Sequence, residues 1–134
     1  MGALQVRHEP ESAALIRHHL RDELTRRGVP SDALDMIVLV ASELVGNAVR
    51  HTGVSASGLI DVDWELDPNG ITVCVSDTSP KLPLPRQPEP HETSGRGLAI
   101  VAAVADDWGV DTGPGGKQVW AHVGFERNGV SLPA

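Results

Sequence analysis

Glu43 and Asn47 carry side chains of the types that act in catalysis and metal binding. They stand four residues apart in a segment whose pattern predicts a long helix. Residues at this spacing lie on one helical face, with Cβ atoms about 5–6 Å apart. A carboxylate can act as a general base, and an amide oxygen can coordinate Mg²⁺. An isolated pair of this kind is more typical of a solvated helix surface. Here the pair interrupts a helix that is otherwise apolar on both sides, and this setting favours a chemical role.

Three more residues suggest a ligand site, although each also has an ordinary structural explanation. Asp77 ends an apolar strand, where its carboxylate can accept a hydrogen bond from an exocyclic amine or can simply form a turn. Gly95 and Gly97 stand at the start of a predicted apolar helix. Free N–H groups and the helix dipole attract anions there, but a glycine at a helix start is usually part of a turn.

Four segments, taken together in chain order, resemble the motifs of the GHKL (Bergerat-fold) ATPases. Residues 41–51 (ASELVGNAVRH) resemble the family's N-box, and residues 75–80 (VSDTSP) resemble its first glycine box. Residues 94–101 (SGRGLAIV) are similar to the second glycine box, and residues 116–120 (GKQVW) to the beginning of its final strand. Order and spacing agree from about residue 41 to 123. The most similar branch is the small anti-sigma factor serine kinases of bacterial partner-switching systems.

This resemblance implies a role for each matching residue and implies ATP and Mg²⁺ as cofactors. Glu43 would orient or deprotonate the attacking hydroxyl, Asn47 would bind Mg²⁺, and Asp77 would bind the adenine amino group. The phosphates would be held by the loop and helix start formed by Gly95, Arg96, Gly97 and Leu98. The proline-rich segment 78–94 would be the ATP lid.

Two positions depart from the family pattern, and we expect both to line the nucleotide site. Ser79 stands where glycine is usual, and its hydroxyl can add a hydrogen bond or narrow the adenine pocket. Gln118 stands where the final strand usually carries Thr or Ser. The neighbouring Lys117 either approaches a phosphate or is a solvated turn lysine.

Two functions therefore stay open. In the first, the protein is an anti-sigma factor that phosphorylates an anti-sigma antagonist of the STAS type and sequesters a sigma factor. In the second, it is a regulatory module that binds ATP, or has lost it, and controls a partner by contact without phosphotransfer. The departures at Ser79 and Gln118 favour the second function. The resemblance also implies a homodimer.

The predicted elements follow an order that indicates an α+β fold. Hydrophobic periodicity and capping signals predict a strand at 4–8, helices at 11–27 and 31–53, strands at 59–66 and 71–77, a helix at 98–105, and strands at 108–111 and 118–125. Gly28 is the predicted cap at the end of the first helix, and Ser31 the predicted cap at the start of the second. Residues 67–70 (DPNG) predict a turn, in which Asn-Gly is a hairpin signal. The expectation is one domain over 1–134: a two-layer α/β sandwich with a mostly antiparallel sheet, three helices on one face and a loose tail from 127.

Composition excludes several classes of protein. The chain has 134 residues and a net charge of -7, with 11 Lys+Arg against 18 Asp+Glu, which excludes a sequence-independent nucleic-acid binder. Cys74 is the single cysteine, so a disulfide scaffold is excluded. No apolar run approaches the roughly 18 residues of a membrane span. We expect a soluble cytoplasmic protein whose acidic surface suits a basic partner, such as the DNA-binding face of a sigma factor.

Overall fold

The described part of the chain forms five strands and three helices. The computed structural model describes residues 2–51, 58–77, 93–113 and 116–126. The strands are β1 (Gly2–Arg7), β2 (Leu59–Asp67), β3 (Gly70–Asp77), β4 (Asp107–Gly113) and β5 (Gly116–Gly124), and the helices are α1 (Glu11–Arg26), α2 (Ser31–His51) and α3 (Thr93–Val104). This is the predicted order of elements. Most of the predicted loop at 53–58, nearly all of the lid segment and the tail lie outside the described residues.

The strands form one antiparallel sheet whose two faces differ sharply. The strand order is β1-β2-β3-β5-β4, and each neighbouring pair is antiparallel. Residues directly opposite one another share a face. The register aligns Val62, Val75 and Val119, all buried, on the helix-covered face. It aligns Asp63 and Cys74 on the outer face, where no described residue except Gly70 is buried.

The three helices cover one face of this sheet and confirm the α+β sandwich. α1 packs on the edge strand β1, α3 packs on the opposite edge strand β4, and α2 lies between them over β2, β3 and β5. α2 is therefore covered on two flanks as well as from below. Val40 is fully buried as expected, whereas Met36 is 39% exposed and does not join the core. No described helix is long and apolar enough to cross a membrane.

The ends of α1 and α2 show how local sequence sets the helix boundaries. Gly28 has a φ of +82°, its N–H donates to the Thr25 carbonyl at 3.1 Å, and the Val29 N–H donates to the Leu24 carbonyl at 3.0 Å. This pair of bonds is a Schellman motif, so the predicted glycine cap is confirmed. α2 begins slightly earlier than its predicted Ser31 cap, because the Pro30 carbonyl already accepts from the Leu34 N–H at 2.8 Å.

The β2–β3 turn lies at the predicted residues, whereas α3 begins earlier than predicted. Gly70 pairs with Asp67, so Pro68 and Asn69 form the two-residue loop of the turn at 67–70. Gly70 has a φ of +153°, and a Cβ there would collide with the Val123 carbonyl oxygen of β5. Close approach of β5, rather than a primed turn, thus requires glycine. The third helix begins at Thr93, five residues before its predicted start.

A histidine on the outer face bridges two carboxylates from different parts of the chain. His122 of β5 places Nδ1 2.8 Å from Asp106 Oδ1 and Nε2 3.1 Å from Asp67 Oδ2. Carboxylates only accept hydrogen bonds, so both contacts are satisfied when the imidazolium donates from both nitrogens. Burial alone would lower the pKa of His122, but the hydrogen bonds and charges of Asp106 and then Asp67 raise it above its ordinary value of 6.5. The cluster joins the β2–β3 turn, β5 and the segment after α3.

This cluster predicts a pH-dependent stability. A raised folded-state pKa means that the stabilisation is complete below about pH 6.5 and is lost as the pH rises through the raised value. We expect the free energy of unfolding to fall as the pH rises above about 6.5 and through the raised pKa of His122, and to fall less in His122→Gln. Urea unfolding followed by circular dichroism measures both proteins. A difference between them that does not change with pH would contradict the prediction.

Candidate functional site

One end of the sheet collects the residues that the sequence singled out, and we call it the Asp77 end. β3 finishes there at Asp77, which pairs with Ile60 on one side and with Lys117 on the other. β1 also finishes at this end, because Val6 pairs with Ile60. The direction in which each helix runs from or toward this end determines which helix termini lie beside Asp77.

α1 and α2 run in opposite directions, so α2 finishes at the Asp77 end. α1 starts there, since Ser12 Oγ donates to the carbonyl of Arg7, the last residue of β1, at 2.6 Å. A short connection then reverses the chain, and Arg21 of α1 contacts Asp35 of α2 at 3.1 Å. Two helices joined in this way pack antiparallel. The last turns of α2, which carry Asn47, therefore return to the Asp77 end.

α3 runs toward the far end of the sheet, so its N-terminus points to the Asp77 end. Shortly after the helix, the Asp106 N–H donates to the His122 carbonyl at 2.9 Å. His122 lies five residues beyond Lys117 along β5, toward the far end. The 12 residues of α3 span roughly 18 Å at 1.5 Å per residue, about the distance back along β5. The C-terminus of α2 and the N-terminus of α3 thus share one end of the sheet.

Asn47 carries a hydrogen-bond acceptor that no described residue uses. The residue is 4% exposed, and its Oδ1 is buried without a hydrogen-bond partner in the described part of the chain. Asp35 marks the flank of α2 that faces α1, and Asn47, twelve residues later, lies about 120° further around the helix. It therefore occupies the α3 flank. A buried unsatisfied acceptor costs about 1–3 kcal/mol, which a ligand donor or a cation can recover.

Glu43 lies one turn before Asn47 and is partly exposed, so its carboxylate is accessible. The adjacent Ser42 is buried, but its hydroxyl donates to the Leu39 carbonyl at 3.0 Å and is therefore satisfied within the helix. Arg50 folds back along the same stripe, placing Nη1 3.1 Å from where a Cβ on Gly46 would lie. The stripe thus presents a carboxylate, a free amide oxygen and a guanidinium.

The amide oxygen of Asn47 is a suitable ligand for Mg²⁺. This hard cation takes oxygen ligands and usually binds proteins through one or two side chains, with water and phosphate oxygens completing its octahedron. The amide oxygen of Asn47 is buried and has no competing donor among the described residues. Asn47 would therefore supply the protein ligand to the ion.

The backbone of α3 places the four predicted phosphate-binding residues within the helix rather than before it. Because α3 begins at Thr93, the N–H of Gly95 is among the first-turn N–H groups that have no partner in the helix. Arg96 is the first residue whose N–H can bond back, to the residue before the helix, and Gly97 and Leu98 follow it. The first-turn N–H groups, with the positive end of the dipole, form an anion-binding terminus.

The remaining predicted residues separate across the sheet. Asp77 occupies a helix-covered position in β3, while its side chain and the whole of Ser79 lie outside the described residues. Gln118 occupies the outer face, where its Nε2 donates to Ser76 Oγ at 3.3 Å. Strand alternation therefore does not bring Gln118 together with Asn47. The sequence left the role of Lys117 open. This residue takes the helix-covered position next to Asp77, because it lies two residues before the buried Val119 in the same strand.

Comparisons with known proteins agree with this architecture. The sequence profile of the histidine kinase-like ATPase domain matches residues 6–123. The solved structure of the RsbU and RsbW domains of Rv1364c from Mycobacterium tuberculosis is similar, with 22% sequence identity and a TM-score of 0.64. The alignment covers 92% of this chain and 32% of the mycobacterial chain, so this chain spans about a third of that protein's length.

No curated protein matches the sequence. The structural likeness shows a shared fold, and the profile covers most of the 134 residues. The four motifs also occur in the order expected for the GHKL group. The chain therefore belongs to the histidine kinase-like ATPase domain family.

Proposed function

We propose that the protein is an ATP-dependent serine/threonine kinase that acts as an anti-sigma factor and phosphorylates an anti-sigma antagonist of the STAS type. Family membership implies ATP binding. The similar mycobacterial structure contains an RsbW domain, and the motifs resemble those of anti-sigma factor kinases. The observation that carries the proposal is the Oδ1 of Asn47, which is buried on the flank of α2 that faces α3 and has no partner among the residues that the structure describes.

The nucleotide would lie at the Asp77 end, between α2 and α3. Asp77 would accept a hydrogen bond from the adenine amino group, with the Ser79 hydroxyl as its neighbour. First-turn N–H groups of α3, including that of Gly95, would donate to phosphate oxygens. Asn47 would coordinate Mg²⁺, which when bound neutralises charge on the triphosphate.

Glu43 would serve the transfer step itself. Its carboxylate accepts the proton of a substrate Ser or Thr hydroxyl as the hydroxyl oxygen forms a bond to the γ-phosphorus. The bond from that phosphorus to the β–γ bridging oxygen breaks, and ADP leaves. Partial exposure of Glu43 suits a hydroxyl that arrives on another protein, because the base must be accessible from outside.

A regulatory module that binds ATP without phosphotransfer is the second candidate, and the sequence departure at Ser79 favours it. Incubation with labelled ATP, Mg²⁺ and candidate antagonist proteins separates the two functions. Label on a Ser or Thr of one partner supports the kinase. ATP bound with no transfer to any candidate supports the module.

Asn47 gives a test in which stability and binding should move in opposite directions. Asn47→Leu removes an unsatisfied buried acceptor and keeps a similar volume, so the free energy of unfolding without nucleotide should rise by about 1 kcal/mol. Binding of Mg-ATP should be lost. Urea unfolding and isothermal titration measure the two effects.

Asn47→Asp is the matched variant, because it keeps an oxygen ligand but buries a charge. It should lower stability without nucleotide and retain part of the Mg²⁺-dependent binding. Unimpaired Mg-ATP binding by Asn47→Leu would show that the ion is held elsewhere.

Glu43 gives a test of the transfer step. Glu43→Gln should reduce phosphotransfer by roughly 10²–10⁴-fold while leaving ATP affinity close to that of the wild type, because general-base catalysis contributes on this scale. Glu65→Gln removes an exposed acid from the outer face and should leave transfer unchanged. Equal transfer rates in wild type and Glu43→Gln would exclude Glu43 as the base.

A further inference from the structure

Lys117 occupies a position in β5 that alternation assigns to the helix-covered face. Val119, Ala121 and Val123 follow it at intervals of two, and all three are buried against the helices. Lys117 itself is only partly exposed. A lysine in continuity with an apolar row is unusual on a sheet face, because the ammonium must keep a polar environment at the strand end.

The register places Lys117 directly opposite Asp77. Directly opposed residues on one face of an antiparallel pair have Cβ atoms about 4.5–5.5 Å apart. Both residues belong to the Asp77 end, where α2 finishes and α3 begins. A cationic donor is therefore built beside the acid to which the proposed function gives the adenine amino group.

The two residue types complement the edge of adenine that carries its amino group. That edge presents the 6-amino donor and, next to it, the N1 acceptor. A carboxylate can accept from the amino group but cannot donate to N1, whereas a lysine ammonium carries three donors and no acceptor. An acid and a lysine side by side thus match both positions of the base.

We propose that Lys117 is a specificity-determining residue of the nucleotide site, where its ammonium donates a hydrogen bond to N1 of the adenine that Asp77 holds through the amino group. The inference rests on the proposed assignment of Asp77. It extends that assignment to a residue of this chain that the motif comparison left open. Arg7 offers a comparison, because it is an exposed cation at the same end of the sheet but on the outer face.

Binding of Mg-ATP and of Mg-1-deaza-ATP, in which a C–H replaces N1, tests the proposal. Isothermal titration with wild type, Lys117→Met and Arg7→Met gives six dissociation constants. Wild type should bind the deaza analogue about tenfold more weakly than ATP, which is the scale of one hydrogen bond to a charged donor. Lys117→Met should weaken ATP binding by a similar factor and leave binding of the analogue unchanged. Arg7→Met should change neither.

Equal weakening of both ligands in Lys117→Met would place the lysine on the phosphates or in the fold, and would overturn the proposal. Unchanged affinity for both ligands would overturn it as well. Urea unfolding of each variant separates a loss of structure from a loss of contact. Failure of the wild type to bind ATP would instead remove the proposed function. Unchanged ATP affinity in Asp77→Asn would remove the Asp77 assignment, while the comparison of ligands still reports on Lys117.

Discussion

The fold depends on covering one apolar face of the sheet with a single central helix. β2, β3 and β5 alternate strictly, so their buried side chains lie on one face and require a cover. α2 supplies that cover and also contacts α1 and α3, which leaves it a narrow exposed stripe. A polar residue on either flank of such a helix is enclosed by packing. Asn47 occupies such a flank. Its oxygen has no partner among the described residues because the helix that carries the amide is also the helix that completes the core.

The ends of the elements are fixed by contacts that lie away from the candidate site. The Schellman motif at Gly28 turns the chain back, and the contact between Arg21 and Asp35 holds α1 beside α2. At the far end, His122 holds the segment after α3 through Asp106. These contacts determine direction: α2 must finish, and α3 must begin, at the Asp77 end. Because contacts elsewhere position the helices, the residues at that end are not needed for this purpose and their side chains can serve a ligand.

The sequence predicted what is local and failed where distant strands decide. The cap at Gly28, the span of α2 and the strand faces follow from spacing within one segment. The β2–β3 turn at 67–70 was predicted, but the need for glycine at residue 70 was not, because it comes from β5, more than fifty residues away. Gln118 was grouped with the nucleotide residues because a motif match does not specify which face of the sheet a residue occupies. An offset of one residue along a strand moves a side chain to the opposite face. The absence of a partner at Asn47 required the packing of α2 itself.

The distribution of charge explains how a chain with a net charge of -7 can hold a triphosphate. A row of acidic side chains lies on the outer face, where Asp61, Asp63 and Glu65 alternate along β2. The sheet and its apolar layer separate them from the ends of α2 and α3. On the helix side, the same end carries Lys117, the Arg50 guanidinium and the positive terminus of α3. The net charge is therefore a poor guide to the electrostatic potential at the candidate site, since screening reduces the effect of acids about a sheet's thickness away. The same separation would leave the acidic outer face available for the basic partner expected from the sequence, while the proposed nucleotide site lies on the helix side.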